Sequence, residues 1–469
     1  MVGNGLAPRT QRSKGRPVSR ESFEKEPCPQ AQTGRNMSPK LLKVVERAKQ
    51  DPNARFNSLA HLLDEEALER AFRRIREDAS AGVDGITKEE YEQNLEDNLR
   101  TLLERMKSKR YRHQPIRRVH IPKAPGKTRP IGISCIEDKI VQGALTEVLS
   151  AIYEQDFLSC SYGFRPGRSA HDALRAVDQM AMREGIEWIL EADIQAFFDS
   201  LDRSKLREML QKRVADGALM RLVGKCLHVG VLDGEEFSEP DEGTAQGSII
   251  SPLLGNVYLH YVLDLWVEDE VKPQLSGRGR LIRYADDFVM GFESRADAEC
   301  VREWLTRRMA EFGLTLHPDK TRLVPFDRPR KGGTGGKGPA TFDLLGFTLF
   351  WRRTRKGSWV LGMKTRKARL QRAIKNLGSW CRSHRHLPRK EQHASLSRRL
   401  NGHFNYFGVN GNQASLGHVR YWAERLWLKW LRRRSQRGRR LTWKRFAAYL
   451  EVFPLPAPTV RVRIWARAP

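Results

Sequence analysis

Leu281-Ile282-Arg283-Tyr284-Ala285-Asp286-Asp287-Phe288-Val289-Met290 sets two short apolar runs on either side of adjacent carboxylates. Runs of this length joined by so short a link read as a β-hairpin with the acids at its tip, where burial is incomplete and a divalent cation can reach them. For a lone Asp-Asp pair the blander reading, a solvated turn, is the commoner one. A second acidic element is needed to decide between the two.

An upstream stretch supplies it. In Trp188-Ile189-Leu190-Glu191-Ala192-Asp193-Ile194-Gln195-Ala196-Phe197-Phe198-Asp199 an apolar strand runs straight into Asp193, and the Phe pair suits a wall beside a small pocket. Asp193 and the Asp pair are far apart in the chain, so only the fold can bring them to one site. Mg²⁺ takes oxygen ligands and keeps substrate phosphates in its shell, so a few carboxylates from different strands suffice. Two such ions about 3.5 to 4 Å apart clamp the attacking and leaving oxygens of an in-line displacement. The chemistry this points to is nucleotidyl transfer.

With 469 residues, 39% of them apolar, the chain has ample material for two or three packed units. No run approaches the roughly 18 apolar residues of a membrane helix, since Val257 to Val267 is broken by His260 and Asp264. The N-terminus, with Arg9, Arg12, Lys14, Arg16 and Arg20 among Gly, Pro and Ser, has no apolar core of a secretory signal. Six cysteines lie far apart without a CxxC pair, which argues against a zinc finger and a disulfide framework and fits a reduced cytosol. Cys381 with His384 and His386 is a weak metal candidate, short of four well-spaced ligands. The net charge of +28 is unevenly placed: from Arg352 onward there are 30 Lys or Arg against three acids, while residues 1–351 are nearly balanced. A solvated basic face is one reading, but self-repulsion of this size favours a polyanionic partner, nucleic acid.

Residues 1–36, polar and rich in Gly and Pro, read as a disordered basic tail. Residues 37–186 form an N-terminal helical unit, opened by Ser38 as cap and Pro39 in the first turn, with a strand pair around Pro125-Gly126-Lys127. Residues 187–351 mix strands (187–194, 281–291, 342–351) with helices near 203–226, 251–266 and 295–312, which makes the fold class α+β. The Gly-rich 331–339 stretch is a connector and fails the register of a phosphate-binding loop, because Lys331 stands where Gly is required. After Trp359 the pattern turns helical, and 352–469 reads as a basic helical domain in which Trp422, Trp427, Trp430 and Trp443 interleave with arginines.

The ordered blocks are similar to those of bacterial group II intron-encoded proteins, reverse transcriptases with maturase activity. They are Ala81-Gly82-Val83-Asp84-Gly85; Ile121-Pro122-Lys123 with Lys127-Thr128-Arg129-Pro130; Ser161-Tyr162-Gly163-Phe164-Arg165-Pro166-Gly167-Arg168-Ser169; and the Asp193 strand. Gly243-Thr244-Ala245-Gln246-Gly247, Arg283 to Asp287, Leu316 to Thr321, Leu344-Leu345-Gly346-Phe347 and Gly402 to Val409 follow in the family's order. The resemblance implies a right-hand polymerase, with fingers, a palm carrying the acid-tipped hairpin, and an α-helical thumb or maturase domain. It implies that Asp193, Asp286 and Asp287, with the Ile194 carbonyl, bind two Mg²⁺ ions, Mn²⁺ being an alternative occupant. Lys123, Arg129 and Gln246 match residues around the incoming triphosphate, and Lys320 matches a proton donor or an ordinary surface lysine. Phe198 matches the bulky residue that leaves no room for a 2′-hydroxyl, which implies dNTPs. Arg165, Arg168, Lys364, Lys367, Arg432, Arg433 and Arg434 are the expected nucleic-acid contacts.

The expected partners are an RNA template and intron RNA, a DNA primer or target, and cDNA, met in a bacterial cytoplasm and at the nucleoid during insertion, with monomer and homodimer both open. The chain departs from the family at Ala245, where Pro is usual, at Ser248, where Gly is common, and at Asp202-Arg203, near a frequent His. Its short basic tail carries no expected endonuclease domain, so mobility would rely on nicked or single-stranded DNA. Two rivals stand beside this reading: a domesticated relative serving CRISPR adaptation, phage defence or DNA repair, and a non-catalytic splicing cofactor. The second should have lost the Asp cluster, which is present here.

Overall fold

The computed structural model describes residues 37–124, 127–233, 236–238, 247–329 and 340–465; the side chains of 121–129 are not among the described parts. The expected N-terminal tail, the Gly-rich connector and Gln246 therefore lie outside the described residues. In chain order the elements are α1 (Pro39–Gln50), α2 (Glu65–Arg73), α3 (Lys88–Glu92), α4 (Leu95–Lys107), β1 (Ile116–Ala124), β2 (Lys127–Ile133), α5 (Ile136–Asp156) and α6 (Ala170–Arg183). Then come β3 (Trp188–Asp193), α7 (Arg203–Gln211), α8 (Gly217–Leu227), β4 (Val231–Asp233), β5 (Glu236–Ser238), α9 (Ser251–Leu259), β6 (Gly279–Tyr284), β7 (Asp287–Phe292) and α10 (Arg295–Glu311). The chain closes with β8 (Arg322–Pro325), β9 (Phe342–Leu344), β10 (Phe347–Arg353), β11 (Trp359–Thr365), α11 (Lys367–Ser383), α12 (Arg389–Phe407), α13 (Gln413–Arg432), α14 (Gln436–Arg439) and α15 (Trp443–Val452).

Ser38 caps α1 through Leu41 N–H, with Pro39 in the first turn, as its sequence predicts. Helices α1 and α2 pack on α5, whose buried Glu147 is held by Arg70 and Arg74 of α2 at 3.3 and 3.1 Å. The hairpin β1–β2 forms around residues 125–126 and is widened by β4 and β5 into a sheet of order β2-β1-β4-β5.

The central sheet has the order β6-β7-β3-β8 and is antiparallel throughout. Both its faces are covered. Leu190, Ala192, Leu281, Phe288 and Met290 join the core shared with α5, α9 and α10. Ile189, Ile282, Val289 and Val324 join a second core with α6 and the sheet β11-β10-β9. Burial on two faces explains why these strands read as nearly unbroken apolar runs rather than as alternating ones.

Several expected boundaries need correcting. The 203–226 helix is two, because Asp216 leaves the helical path to cap α8 at Ala218 and Leu219 N–H while its other oxygen accepts from Leu59 and Ala60. The 251–266 helix tightens no further after Leu259 and continues in wide π-type turns through 260–264 and 266–271. The helical reading after Trp359 fails for β11, which pairs with β10 along its length. The domain boundary at 351/352 therefore cuts a hairpin, and the helical unit begins at Lys367.

That unit packs α11, α12, α13 and α15 around Trp380, Leu400, Phe404, Trp427 and Phe446. Among the described residues no helix is long and apolar enough to cross a membrane. Trp427 is fully buried and donates its indole N–H to Gln392 at 3.0 Å. Truncating so large a buried ring costs about 3 to 5 kcal/mol. Trp427→Ala should accordingly speed amide hydrogen exchange in α11 and α13 by roughly 10²- to 10⁴-fold, with α5 unchanged; unchanged protection in α13 would show that this core does not hold the unit together.

Candidate active site

Strands β3 and β7 place Asp193 directly opposite Asp287, so their side chains share one face of the sheet. The two-residue link Ala285-Asp286 between β6 and β7 sets Asp286 beside them. Past the end of β3 the backbone is pinned by the following segment: Gln195 N–H bonds Thr315 at 2.8 Å, His317 N–H bonds Asp193 at 2.8 Å, and Ile194 bridges to Leu316. This pinning carries the turn 317–320 to the carboxylates, and the Lys320 ammonium donates to the Asp193 carboxylate.

The turn is held from behind by Arg283, whose side chain is fully buried. Its guanidinium donates to both oxygens of Asp264 (2.7 and 2.5 Å), to Asn256 Oδ1 (2.9 Å) and to the Ala285 carbonyl (3.1 Å). Asn256 in turn donates to the Gly163 carbonyl at 2.7 Å. A Cβ on Gly163 would stand 2.4 Å from Ala285 N and 2.9 Å from the Tyr284 carbonyl carbon, so the Ser161-to-Ser169 block needs glycine there. Five non-glycine residues among those described have a left-handed φ, and four border this site: Phe164 (55°), Ala196 (48°), Ala285 (56°) and Leu345 (53°). Each such residue costs about 1 to 2 kcal/mol, and clustering of that kind marks functional turns.

Burial pushes the Asp287 carboxyl up to about 7, the N–H of Leu345 opposing this and the charges of Asp286 and Asp193 adding to it. Leu345 N–H reaches Asp287 at 3.2 Å, and the Leu345 carbonyl accepts from the Tyr406 hydroxyl of α12 at 2.9 Å. Phe198 lies half-buried beside Phe197, and a Cβ on Gly255 would come within 3.0 and 3.2 Å of the two rings, so α9 offers them a flat seat. Ser248, the departure from Gly, donates to Gln142 at 2.9 Å, and the same amide oxygen accepts from Ile249 N–H. The extra hydroxyl thus anchors the start of α9 to α5.

Among the described residues no three His, Cys, Asp or Glu side chains are spaced to hold an ion alone. That includes the Cys381, His384 and His386 candidate, in which Cys381 is buried and His384 bonds the Trp380 carbonyl. Arg165 is corrected as well: it is buried and donates to Glu154, Leu158 and Ser161, fixing its loop from within. Arg168 is half-buried and spends its guanidinium on the Ser159 and Ser161 carbonyls. Lys123 and Arg129 lie on β1 and β2, but their side chains, like Gln246, are outside the description. Lys364 on β11 and Lys367 and Arg432 to Arg434 of the helical unit are exposed.

Sequence reasoning missed Asp264, Asn256, Leu345 and Tyr406 as supports of the site. Asp264 had a signal, an acid inside the apolar 257–267 run, where burial demands a partner.

A family profile described as "Reverse transcriptase (RNA-dependent DNA polymerase)" matches residues 121–349, the span that holds both carboxylate strands. Protein YkfC of Escherichia coli is 32% identical over 349 residues, 67% of this chain and 88% of that protein. The group II intron-encoded protein LtrA of Lactococcus lactis is 34% identical over 212 residues, covering 44% of this chain and 35% of the relative. An uncharacterized 91 kDa protein in the cob intron of Schizosaccharomyces pombe is 34% identical, covering 53% and 31%. With the paired carboxylates in register and these likenesses together, the chain belongs to the reverse transcriptase family. Polymerases of this family generally use divalent metal ions, and nucleic acid is their partner.

Gly163→Ala should push the 285–286 turn out of place. A displacement near 1 Å costs about 10²-fold in rate, so primer extension should fall to that extent while the protein still melts cooperatively. Synthesis at the parent rate would show that the turn does not need this close approach.

Proposed function

We propose that this reverse transcriptase works as a right-hand polymerase, with fingers in residues 37–186, a palm built on β6-β7-β3-β8, and a thumb in the helical unit from Lys367. It extends a DNA primer with deoxynucleotides on an RNA template, and binds group II intron RNA to assist splicing and mobility. The observation that carries the polymerase reading is the cross-strand register of Asp193 and Asp287 beside the strained 285–286 turn.

Asp193 and Asp286, with the Ile194 carbonyl and with Asp287 behind them, would hold the divalent cations. Mg²⁺ suits a site with few protein ligands, since it is content with one or two carboxylates plus substrate phosphates, and Mn²⁺ accepts the same oxygens. When bound there, such cations would supply Lewis-acid neutralisation of the charge that develops in the displacement. Mutually repelling carboxylates in a half-buried place are the chemistry that such cations relieve. Lys123, Arg129 and Gln246 take the incoming triphosphate, where guanidinium and ammonium groups offset phosphate charge. Lys320, already at the Asp193 carboxylate, gives its proton to the leaving pyrophosphate. Phe198, seated on α9, walls the pocket at the sugar and shuts out a 2′-hydroxyl.

Asp286→Ala should abolish divalent-dependent cDNA synthesis on an RNA template while RNA binding survives; synthesis that persists refutes the site. In the same assay Phe198→Ala should begin to incorporate ribonucleotides, and discrimination equal to the parent's would remove Phe198 from the sugar-selecting role.

A further inference from the structure

The C-terminal end of α13 carries charge that the chain does not neutralise. Among the described residues from Lys367 onward there is one ion pair, Arg420 with Glu424 at 2.7 Å. Four cations crowd the ring of Trp430: Arg433 at 5.3 Å, Lys429 at 5.7 Å, Arg382 at 5.9 Å and Arg385 at 6.0 Å from its centre. Beside them runs a groove of about 790 Å³, lined by Arg425, Lys429, Arg432, Arg434, Arg439 and Trp443 among others.

Aromatic surface lies in the groove, at Trp443, and next to its Arg425, at Tyr421. Tyr421 and Trp443 are each 47% exposed, unlike the buried Trp427 one to two turns along the helix. The Arg425 guanidinium stands 4.4 Å from the Tyr421 ring centre and 5.5 Å from that of Trp443, between the two. Tyr421, Arg425, Lys429 and Arg432 follow one another at helical spacing, a stripe of about 16 Å along the axis of α13. Arginines alone suit any polyanion. Exposed rings interleaved with them suit one that offers flat apolar faces as well as phosphates.

We infer that Tyr421, Arg425 and Trp443, with the arginine stripe, form a binding site for single-stranded RNA, in which an unpaired base stacks on the aromatic shelf while its phosphates lie along the arginines. A duplex keeps its base faces stacked inside and shows the protein only phosphates, sugars and groove edges, so it would leave the shelf unused. The site rests on the reading that this chain works on RNA, and it specifies the form of RNA that the helical unit takes, an unpaired segment, which the basic composition alone does not distinguish from a duplex.

The test uses the full chain and fluorescence anisotropy with a short oligouridine and an RNA duplex of equal length. A stacked base is worth about 1 to 3 kcal/mol, so Trp443→Ala should weaken oligouridine binding roughly 5- to 150-fold and leave duplex binding within about twofold. Trp443→Phe should restore most of the loss, and Tyr421→Ala should reproduce part of it. Arg432→Gln with Arg433→Gln should instead weaken both ligands and flatten their salt dependence. Equal loss for both RNAs on Trp443→Ala, no loss for either, or competition by polyglutamate as strong as by oligouridine would overturn the proposal. Primer extension on a pre-annealed template separates the two readings: if Asp286→Ala abolishes synthesis while Trp443→Ala leaves oligouridine binding intact, the shelf falls and the polymerase stands.

Discussion

The buried guanidinium of Arg283 is the contact on which the carboxylate-bearing 285–286 turn depends. It ties the long helix that runs from α9 into the wide turns, through Asn256 and Asp264, to the turn itself, through the Ala285 carbonyl. A buried ion pair adds little net stability because desolvation offsets most of its attraction, yet removing one partner leaves a buried charge and costs about 3 to 5 kcal/mol. It therefore acts as a constraint. The π-type winding after Leu259 belongs to the same device, since it lies in the stretch that brings Asp264 against Arg283.

Around that constraint the molecule tolerates four left-handed residues. Their cost is borne by packing on both faces of the central sheet, where Phe288, Met290 and Val289 are all but inaccessible. Gly163 and Gly255 of α9 are placed where another backbone or ring comes too close for a side chain, while Gly167 serves its left-handed φ of 71°. The sheet thus supplies rigidity, and the turns built on its edge supply the unusual geometry.

The parts of the site written as local pattern were legible in the sequence. Apolar runs ending in Asp193 and flanking Asp286 and Asp287 announce strands, and Ser38-Pro39 announces a helix start. What stayed hidden depends on distant partners. Asp264 looked only like an interruption of an apolar run, because its meaning is Arg283. Arg165 reads as a nucleic-acid contact, because its burial against Glu154 is a tertiary fact. Strand β11 is not distinguishable from the helical region by sequence, because its register is set by β10 and not by its own composition. The short β8, four residues ending in Pro325, had too little length to announce itself.

The Leu345 backbone has a consequence for how the chain can be divided. Its N–H steadies Asp287, and its carbonyl is held by Tyr406, far along in the helical unit, while His171 of α6 bonds the Tyr406 carbonyl at 2.8 Å. The segment that carries the family's hallmark ends at 349, inside β10. A cut there would sever the hairpin with β11 and discard the hydroxyl that braces the active-site backbone. The stretch by which evolution makes this protein recognisable is therefore smaller than the stretch that must be inherited together, and its two halves are not exchangeable modules.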